Sequence, residues 1–302
     1  MRFRLTLTPY FLCLFLSVGA FVSCQKTLEE ERAYAEDKNI EKYILSKNWK
    51  FTKVGGVYTV VRVPSYGYQV AQGDTIAFWY KGYTLDGKVF DTNIKSEARK
   101  AKLDTVIRSF DSLVTIAGKG NLIKGLDDGL LMIQNQELAT ILFSSSFGFN
   151  GNAIGPVKQW SSLAYDIKLV KVNGVGIQNE KAYIGSLNLQ GNGFTLDTSG
   201  LYYKYLVSGT NPIPTIKDTI YGWYKGTLPN GTVLKDLGEG NQQIVLSNSE
   251  IPEGVRLGFM LTKSGGSADL VIPSFLGFGN KGIGVVGPYQ TLLYQIRLDS
   301  IK

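Results

Sequence analysis

The chain has 302 residues, enough for about two domains of ordinary size, with 32 Lys and Arg against 25 Asp and Glu, a formal net charge of +7, and no histidine. The missing imidazole removes the usual general base, any Ser/His/Asp or Cys/His arrangement and the commonest zinc ligand, so hydrolase and metalloenzyme readings fall and no metal site is expected. The positive excess is spread along the chain rather than interleaved with aromatics in a stripe, and no P-loop occurs, so no nucleic-acid partner is expected.

Residues 1–23 read as a signal peptide. Arg2 and Arg4 form a positive segment, and Leu5 to Val22 is apolar but too short and one-sided for an ordinary membrane span. Phe21, Val22, Ser23 and Cys24 resemble a bacterial lipobox, in which Cys24 would be diacylated after cleavage. Cys13 leaves with the signal, so the mature chain has no disulfide and no free thiol for catalysis. The expected location is the bacterial cell envelope, with the chain lipid-anchored to the outer membrane. Residues 24–52 form a linker and helix. Within them the stretch 29–45 is a charged amphipathic helix with Ala33, Ile40 and Ile44 on one face.

Alternating β-branched and aromatic stretches follow at 57–63, 74–83, 113–117, 138–143 and 163–172, and these predict antiparallel strands. Between the third and fourth lies Lys124 to Met132, whose Leu126, Leu130 and Leu131 fit a two-turn helix with an apolar face. The whole pattern then recurs. Trp79, Tyr80, Lys81 and Gly82 return as Trp223, Tyr224, Lys225 and Gly226, an offset of 144. Gly125, Gly129, Gly148, Phe149 and Tyr165 return as Gly254, Gly258, Gly277, Phe278 and Tyr294, an offset of 129. The difference of fifteen residues is an insertion in the first copy between Asp91 and Leu113. It lies near 93–109, and Glu97 to Leu103 within it are good helix formers of mixed charge, read as a solvated surface helix or, alternatively, a lid. The fold class is therefore α+β: two tandem domains, each an antiparallel sheet on one short helix, at 53–173 and 200–302. Residues 174–199 link them, and Glu180 to Asn192 echo the leading helix, since Leu189 and Asn192 sit 144 after Leu45 and Asn48.

The motifs resemble those of FKBP-type peptidyl-prolyl isomerases. The family pattern G-D-x-V-x-x-x-Y-x-G is met by Gly73, Asp74, Ile76, Tyr80 and Gly82, and L-D-G-x-x-F-D by Leu85, Asp86, Gly87, Phe90 and Asp91. The pattern V-I-x-G-W-x-x-G-L-x-x-M is met by Leu122, Ile123, Gly125, Gly129 and Leu130, with Leu126 where the family has Trp and Met132 one position ahead of the family's methionine. The lipobox, leading helix and insertion are also similar to FKBP-like lipoproteins of the Bacteroidetes.

The resemblance implies a substrate pocket in the first copy built from Tyr80, Phe90, Asp91, Leu122, Ile123, Leu126, Phe149, Val157 and Tyr165. It further implies that Ile123 offers its backbone N–H to the substrate carbonyl, that Asp91 polarises the pocket edge, and that no cofactor is needed. Phe149 stands where the family has a Tyr, and Leu113 where a Phe is usual. The second copy departs further: Leu234 and Lys235 replace Phe90 and Asp91, and Pro252, which has no N–H, replaces Ile123. The implied function is an envelope-anchored peptidyl-prolyl cis-trans isomerase acting through the first copy on proline-containing polypeptides or unfolded exported proteins. The competing reading is a non-catalytic lipoprotein of the same fold that binds a partner or an unfolded chain.

Overall fold

The computed structural model describes residues 27–210, 212–238 and 240–302; the expected signal peptide and Cys24 lie outside them. Helix α1 (Leu28–Ser46) starts on a capping box: the Glu30 N–H donates to Thr27 Oγ1 and the Thr27 N–H to Glu30 Oε2, with Glu29, Glu30 and Glu31 in the first turn. Its buried stripe is Glu36, Ile40 and Ile44. Ala33, expected on that face, is exposed, because a carboxylate one turn along takes the buried position instead. Strands β1 (Thr52–Val54) and β2 (Val57–Val63) turn over Gly55 and Gly56, both at positive φ, as a two-residue hairpin requires.

Then come β3 (Thr75–Thr84), β4 (Val89–Thr92), α2 (Lys95–Lys100), β5 (Leu113–Ile116), α3 (Lys124–Leu130), β6 (Leu138–Phe143) and β7 (Leu163–Asn173). The sheet order is β1-β2-β6-β7-β3-β4, with β5 paired to the first half of β3, and all pairs are antiparallel. The helical stretch expected at Glu97 to Leu103 sits earlier, because Lys102 at φ 55° ends it.

Helix α3 crosses β6 closely enough that a Cβ on Gly125 would lie 2.2 Å from the Phe143 ring and one on Gly129 2.3 Å from Ile141. The two glycines, four apart, make the flat side that lets Leu126 and Leu130 reach the core with Phe78, Ile141, Phe143, Tyr165 and Ile167. Helix α1 covers the opposite face of the same sheet. Ile40 and Ile44, both fully buried, pack on Tyr58, Val60, Tyr83, Leu142 and Ala164. Burying two such side chains is worth about 3–6 kcal/mol before conformational costs.

The second copy repeats this plan with α4 (Val175–Ser186), β8 (Thr195–Leu196), β9 (Tyr202–Val207), β10 (Thr219–Thr227), β11 (Val233–Asp236), β12 (Gln242–Val245), α5 (Glu253–Leu261), β13 (Gly266–Ile272) and β14 (Leu292–Ile301). Its sheet order, β11-β10-β14-β13-β9-β8 with β12 paired to β10, is that of the first copy. Gly254 and Gly258 play the parts of Gly125 and Gly129: their Cβ atoms would lie 2.4 Å from Ile272 and 2.4 Å from Leu270. Residues 174–199 are thus largely structured. Helix α4 sits on the outer face of the second sheet through Ile184, which packs with Leu189 and Val271.

A buried carboxylate clamps each leading helix. Glu36 accepts from the Ser145 N–H (2.6 Å), Ser145 Oγ (2.8 Å) and Ser162 Oγ (3.5 Å). Glu180 accepts from the Ser274 N–H (2.7 Å), Ser274 Oγ (2.6 Å) and Thr291 Oγ1 (2.9 Å). Every member of the second set is displaced from its equivalent in the first by one of the two repeat offsets.

The copies are packed together. Tyr68, on the segment between β2 and β3, meets Phe275 edge-on with ring centroids 4.9 Å apart. Phe275 contributes to both apolar cores, and Ile177 of α4 is buried in the first. Burial, and then the Glu180 carboxylate, push the Tyr68 hydroxyl pKa upward. Among the described residues no helix is long and apolar enough to cross a membrane, and no group of three or more acidic or thiol side chains is placed to hold a metal.

Candidate active site

Strand β3 carries Tyr80 and Gly82, and β4 lies antiparallel to it with Gly82 opposite Asp91; on the other side Gly82 faces Tyr165 of β7. A Cβ on Gly82 would meet the Tyr165 ring at 2.8 Å and the Phe90 ring at 2.9 Å, so the missing side chain lets two aromatic rings from flanking strands come together. They do so edge-on, with centroids 5.7 Å apart. Phe149, on the loop after β6, meets Phe90 edge-on at 6.0 Å, and Tyr165 stacks on Phe143 at 5.9 Å. Leu126, Val157 and Tyr165 are buried, whereas Tyr80, Phe90, Leu122, Ile123 and Phe149 are half-buried around them, and all eight belong to one apolar cluster.

Asp91, the ninth residue, is attached to this cluster by hydrogen bonds. The Tyr80 hydroxyl donates to its Oδ2 at 2.8 Å, and Arg108 forms an ion pair with Oδ1. Burial and the neighbouring Asp91 charge push the Tyr80 hydroxyl pKa upward, so it remains a donor; burial does the same to Tyr165. Arg108 comes from the insertion. The insertion is thus more than a solvated helix: Ala98 anchors it, and Arg108 reaches back to the site edge, while Val106 and Ile107 stand exposed. It forms no cover over the aromatic cluster through those two apolar side chains.

Ile123 is the residue before α3, at φ −59° and ψ 142°, and among the described residues its N–H donates to no protein acceptor. Sequence reasoning missed what holds this segment. Asp127 accepts from the Gly118 N–H and the Gly120 N–H, both at 2.8 Å, bracing the loop that delivers Leu122 and Ile123. It also missed Asn93, a buried amide whose Oδ1 takes the Tyr80 N–H at 2.7 Å and whose Nδ2 donates to the Phe78 and Asp111 carbonyls. Asn93 continues the ladder of β3 where β4 has ended. Neither residue could be found from the repeat, since Arg256 and Leu237 occupy the equivalent positions.

In the second copy the aromatic frame persists. Tyr224 and Tyr294 lie 6.0 Å apart at 44°, against 6.1 Å and 44° for Tyr80 and Tyr165. Burial, then the neighbouring Tyr224, push the Tyr294 hydroxyl up to about 12. Lys235 sits opposite Gly226, the register position of Asp91. A cavity of about 580 Å³ opens there, lined by Tyr224, Leu234, Lys235, Pro252, Phe278 and Tyr294 among others. The polar features of the first site are missing: no carboxylate takes the place of Asp91, and Pro252 supplies no N–H.

The geometry of the first site suits a small apolar ring beside a backbone donor, with a hydrogen-bonded carboxylate at the edge. Comparison with known proteins gives the chain's relatives. The profile of the family described as FKBP-type peptidyl-prolyl cis-trans isomerase matches residues 66–170 and 211–299, together more than half of the chain. An outer membrane protein MIP of Legionella longbeachae is 30% identical over 118 residues, covering 39% of this chain and 51% of that protein. The peptidyl-prolyl cis-trans isomerase FKBP9 of Homo sapiens is 25% identical over 230 residues, covering 75% of this chain and 34% of its own length. The crystal structure of FkpA from Escherichia coli is 28% identical, covers 41% of this chain and 58% of that one, and superposes with a TM-score of 0.38. The chain thus spans about half the length of the first of these relatives and about a third of the second.

Proposed function

Since the chain belongs to the FKBP-type peptidyl-prolyl cis-trans isomerase family, we propose that its first copy catalyses the cis/trans exchange of X–Pro bonds in exported polypeptides, from an anchor at diacylated Cys24. Amide rotation faces a barrier of about 18–20 kcal/mol because resonance must be broken, whereas the two X–Pro isomers are nearly balanced in energy. A catalyst therefore needs only to favour the twisted amide. In this reading the cluster of Phe90, Phe149, Leu126, Val157 and Tyr165 receives the proline ring and removes water from the amide. The Ile123 N–H holds a substrate carbonyl, a bond worth on the order of 1 kcal/mol. Asp91, fixed by Tyr80 and Arg108, keeps an oriented negative charge at the edge of the site.

The single observation that carries the proposal is the contrast within one molecule. The Tyr80–Asp91–Arg108 network and the Ile123 donor are present in the first copy, and Lys235 and Pro252 replace their key members in the second. The second copy is accordingly a non-catalytic module. Its cavity of about 580 Å³ supports the alternative that the chain also holds a polypeptide without turning it over. The test is exchange on a panel of X–Pro peptides with residues 25–302, with and without Asp91→Ala. Catalysis that falls with the substitution supports the isomerase. Absence of catalysis in a folded protein, with peptide binding retained, leaves the binding reading. Envelope anchoring is tested separately, by labelling with a radioactive fatty acid in Cys24→Ser and unsubstituted chains.

A further inference from the structure

Beside the aromatic site, a groove of about 620 Å³ runs between α1, the turn joining β3 to β4, and the loop before β7. Lys42 reaches it from the helix, Lys88 from the turn and Lys158 from the loop. All three side chains are exposed, and among the described residues none of them forms an ion pair. Of the carboxylates nearby, Glu36 is consumed by Ser145 and Ser162, whereas Asp86 accepts from the Thr84 hydroxyl and the Lys88 N–H and lies close enough to Lys158 to feel its charge without forming an ion pair, so it offsets part of the positive field. Arg32 adds a further cation at Trp160, with its guanidinium carbon 3.7 Å from the ring centroid.

The groove shares one loop with the aromatic site. Ile154 and Val157 pair across a tight turn, and Val157 points into the apolar cluster while its neighbours Pro156 and Lys158 line the groove. In the second copy the three lysine positions hold Ser186, Thr232 and Gly287, so the positive charge belongs to the first copy alone.

We propose that this groove is an exosite for an acidic stretch of polypeptide flanking the proline that the first copy acts on. Three ammonium groups that form no ion pair, converging from separate elements against one exposed carboxylate, Asp86, are complementary to Asp and Glu side chains on one extended strand. A concave surface fits a chain better than it fits a flat bilayer. The effect on turnover rests on the isomerase reading; the binding does not.

The test uses residues 25–302 and fluorescent X–Pro peptides bearing a glutamate, glutamine or lysine tract, read by anisotropy and by cis/trans exchange. The glutamate peptide is expected to bind about tenfold tighter than the glutamine peptide, the scale of three solvent-exposed ion pairs acting together. The advantage is expected to shrink between about 0.05 and about 0.5 M salt. It is also expected to vanish in the triple variant Lys42→Gln, Lys88→Gln, Lys158→Gln, with exchange of the glutamine peptide unchanged and circular dichroism confirming the fold. A matched triple on the second copy, Lys217→Gln, Lys263→Gln, Lys302→Gln, should keep the preference. Equal binding of all peptides, or equal loss in both triples, overturns the exosite. So does lysine-dependent binding to phosphatidylserine vesicles without the peptide preference, which would assign the groove to a membrane surface. If no peptide is turned over but the glutamate preference stands, the isomerase reading fails and the exosite survives.

Discussion

Opposite Gly82 the first copy has Asp91, and opposite Gly226 the second has Lys235, yet the tyrosine pairs behind these residues agree to 0.1 Å and to the same angle. The difference separates two sets of requirements. The glycines that let rings and helices approach, the alternating apolar strand residues and the buried glutamates build the fold, and they recur. The carboxylate, the N–H before the short helix and the Asp127 brace belong to the proposed site, and the second copy lacks them while keeping the same architecture.

That separation can be broken most severely at the helix clamps. Glu36→Ala strands the buried Ser145 N–H and removes charge-assisted bonds, and a loss of about 3–4 kcal/mol is expected, with Glu180→Ala costing a similar amount in the second copy. Hydrogen exchange followed by mass spectrometry would show whether each loss is concentrated in its own copy. Next come the helix glycines. Gly125→Ala should cost about 2–3 kcal/mol in denaturant unfolding, and Gly254→Ala a similar amount. The Phe143 ring is held by its stack on Tyr165, and Ile272 is fully buried and β-branched, so neither side chain has room to turn aside.

A smaller effect tests the chemistry. Asp91→Ala is expected to lower kcat/KM on X–Pro peptides about tenfold, equivalent to about 1.4 kcal/mol, whereas Lys235→Ala should leave it unchanged. An equal effect of the two substitutions would remove the proposed division of labour.

The smallest effect is on pH dependence. Burial raises the Asp74 and Glu137 carboxyls above the usual carboxylate range, against the opposing pull of backbone N–H donors from Ala71 and Gln134. A raised folded value means that the native state holds these protons more tightly than the unfolded chain, so their contribution to stability declines as pH rises through the carboxylate range. Asp74→Asn with Glu137→Gln keeps an acceptor oxygen at each site. The double variant should gain less than about 1 kcal/mol at pH 7, with the gain disappearing at low pH, as followed by urea unfolding at several pH values.

Much of this was legible in the sequence because the same constraints act twice. Strand positions follow from alternation, and the short helix follows from its leucines and paired glycines. The second layer on each sheet was harder to read. The leading helix exposes Ala33 and buries Glu36, and hydrophobic periodicity gives no weight to a carboxylate whose partners lie more than a hundred residues away. The signal was present nonetheless, since Glu36 and Ile40 recur as Glu180 and Ile184 at the offset of the first half. Arg108, Asn93 and Asp127 were not legible, because each acts through backbone or a carboxylate brought close only by the fold, and the second copy carries no trace of them.

The Phe275 ring, which belongs to both cores, makes the order of synthesis matter. Tyr68 and Ile177 emerge long before their aromatic lid, and at about 5–20 residues per second the first copy waits several seconds or longer with that apolar patch open. The first copy therefore completes its own apolar surface only when the chain's C-terminal half arrives.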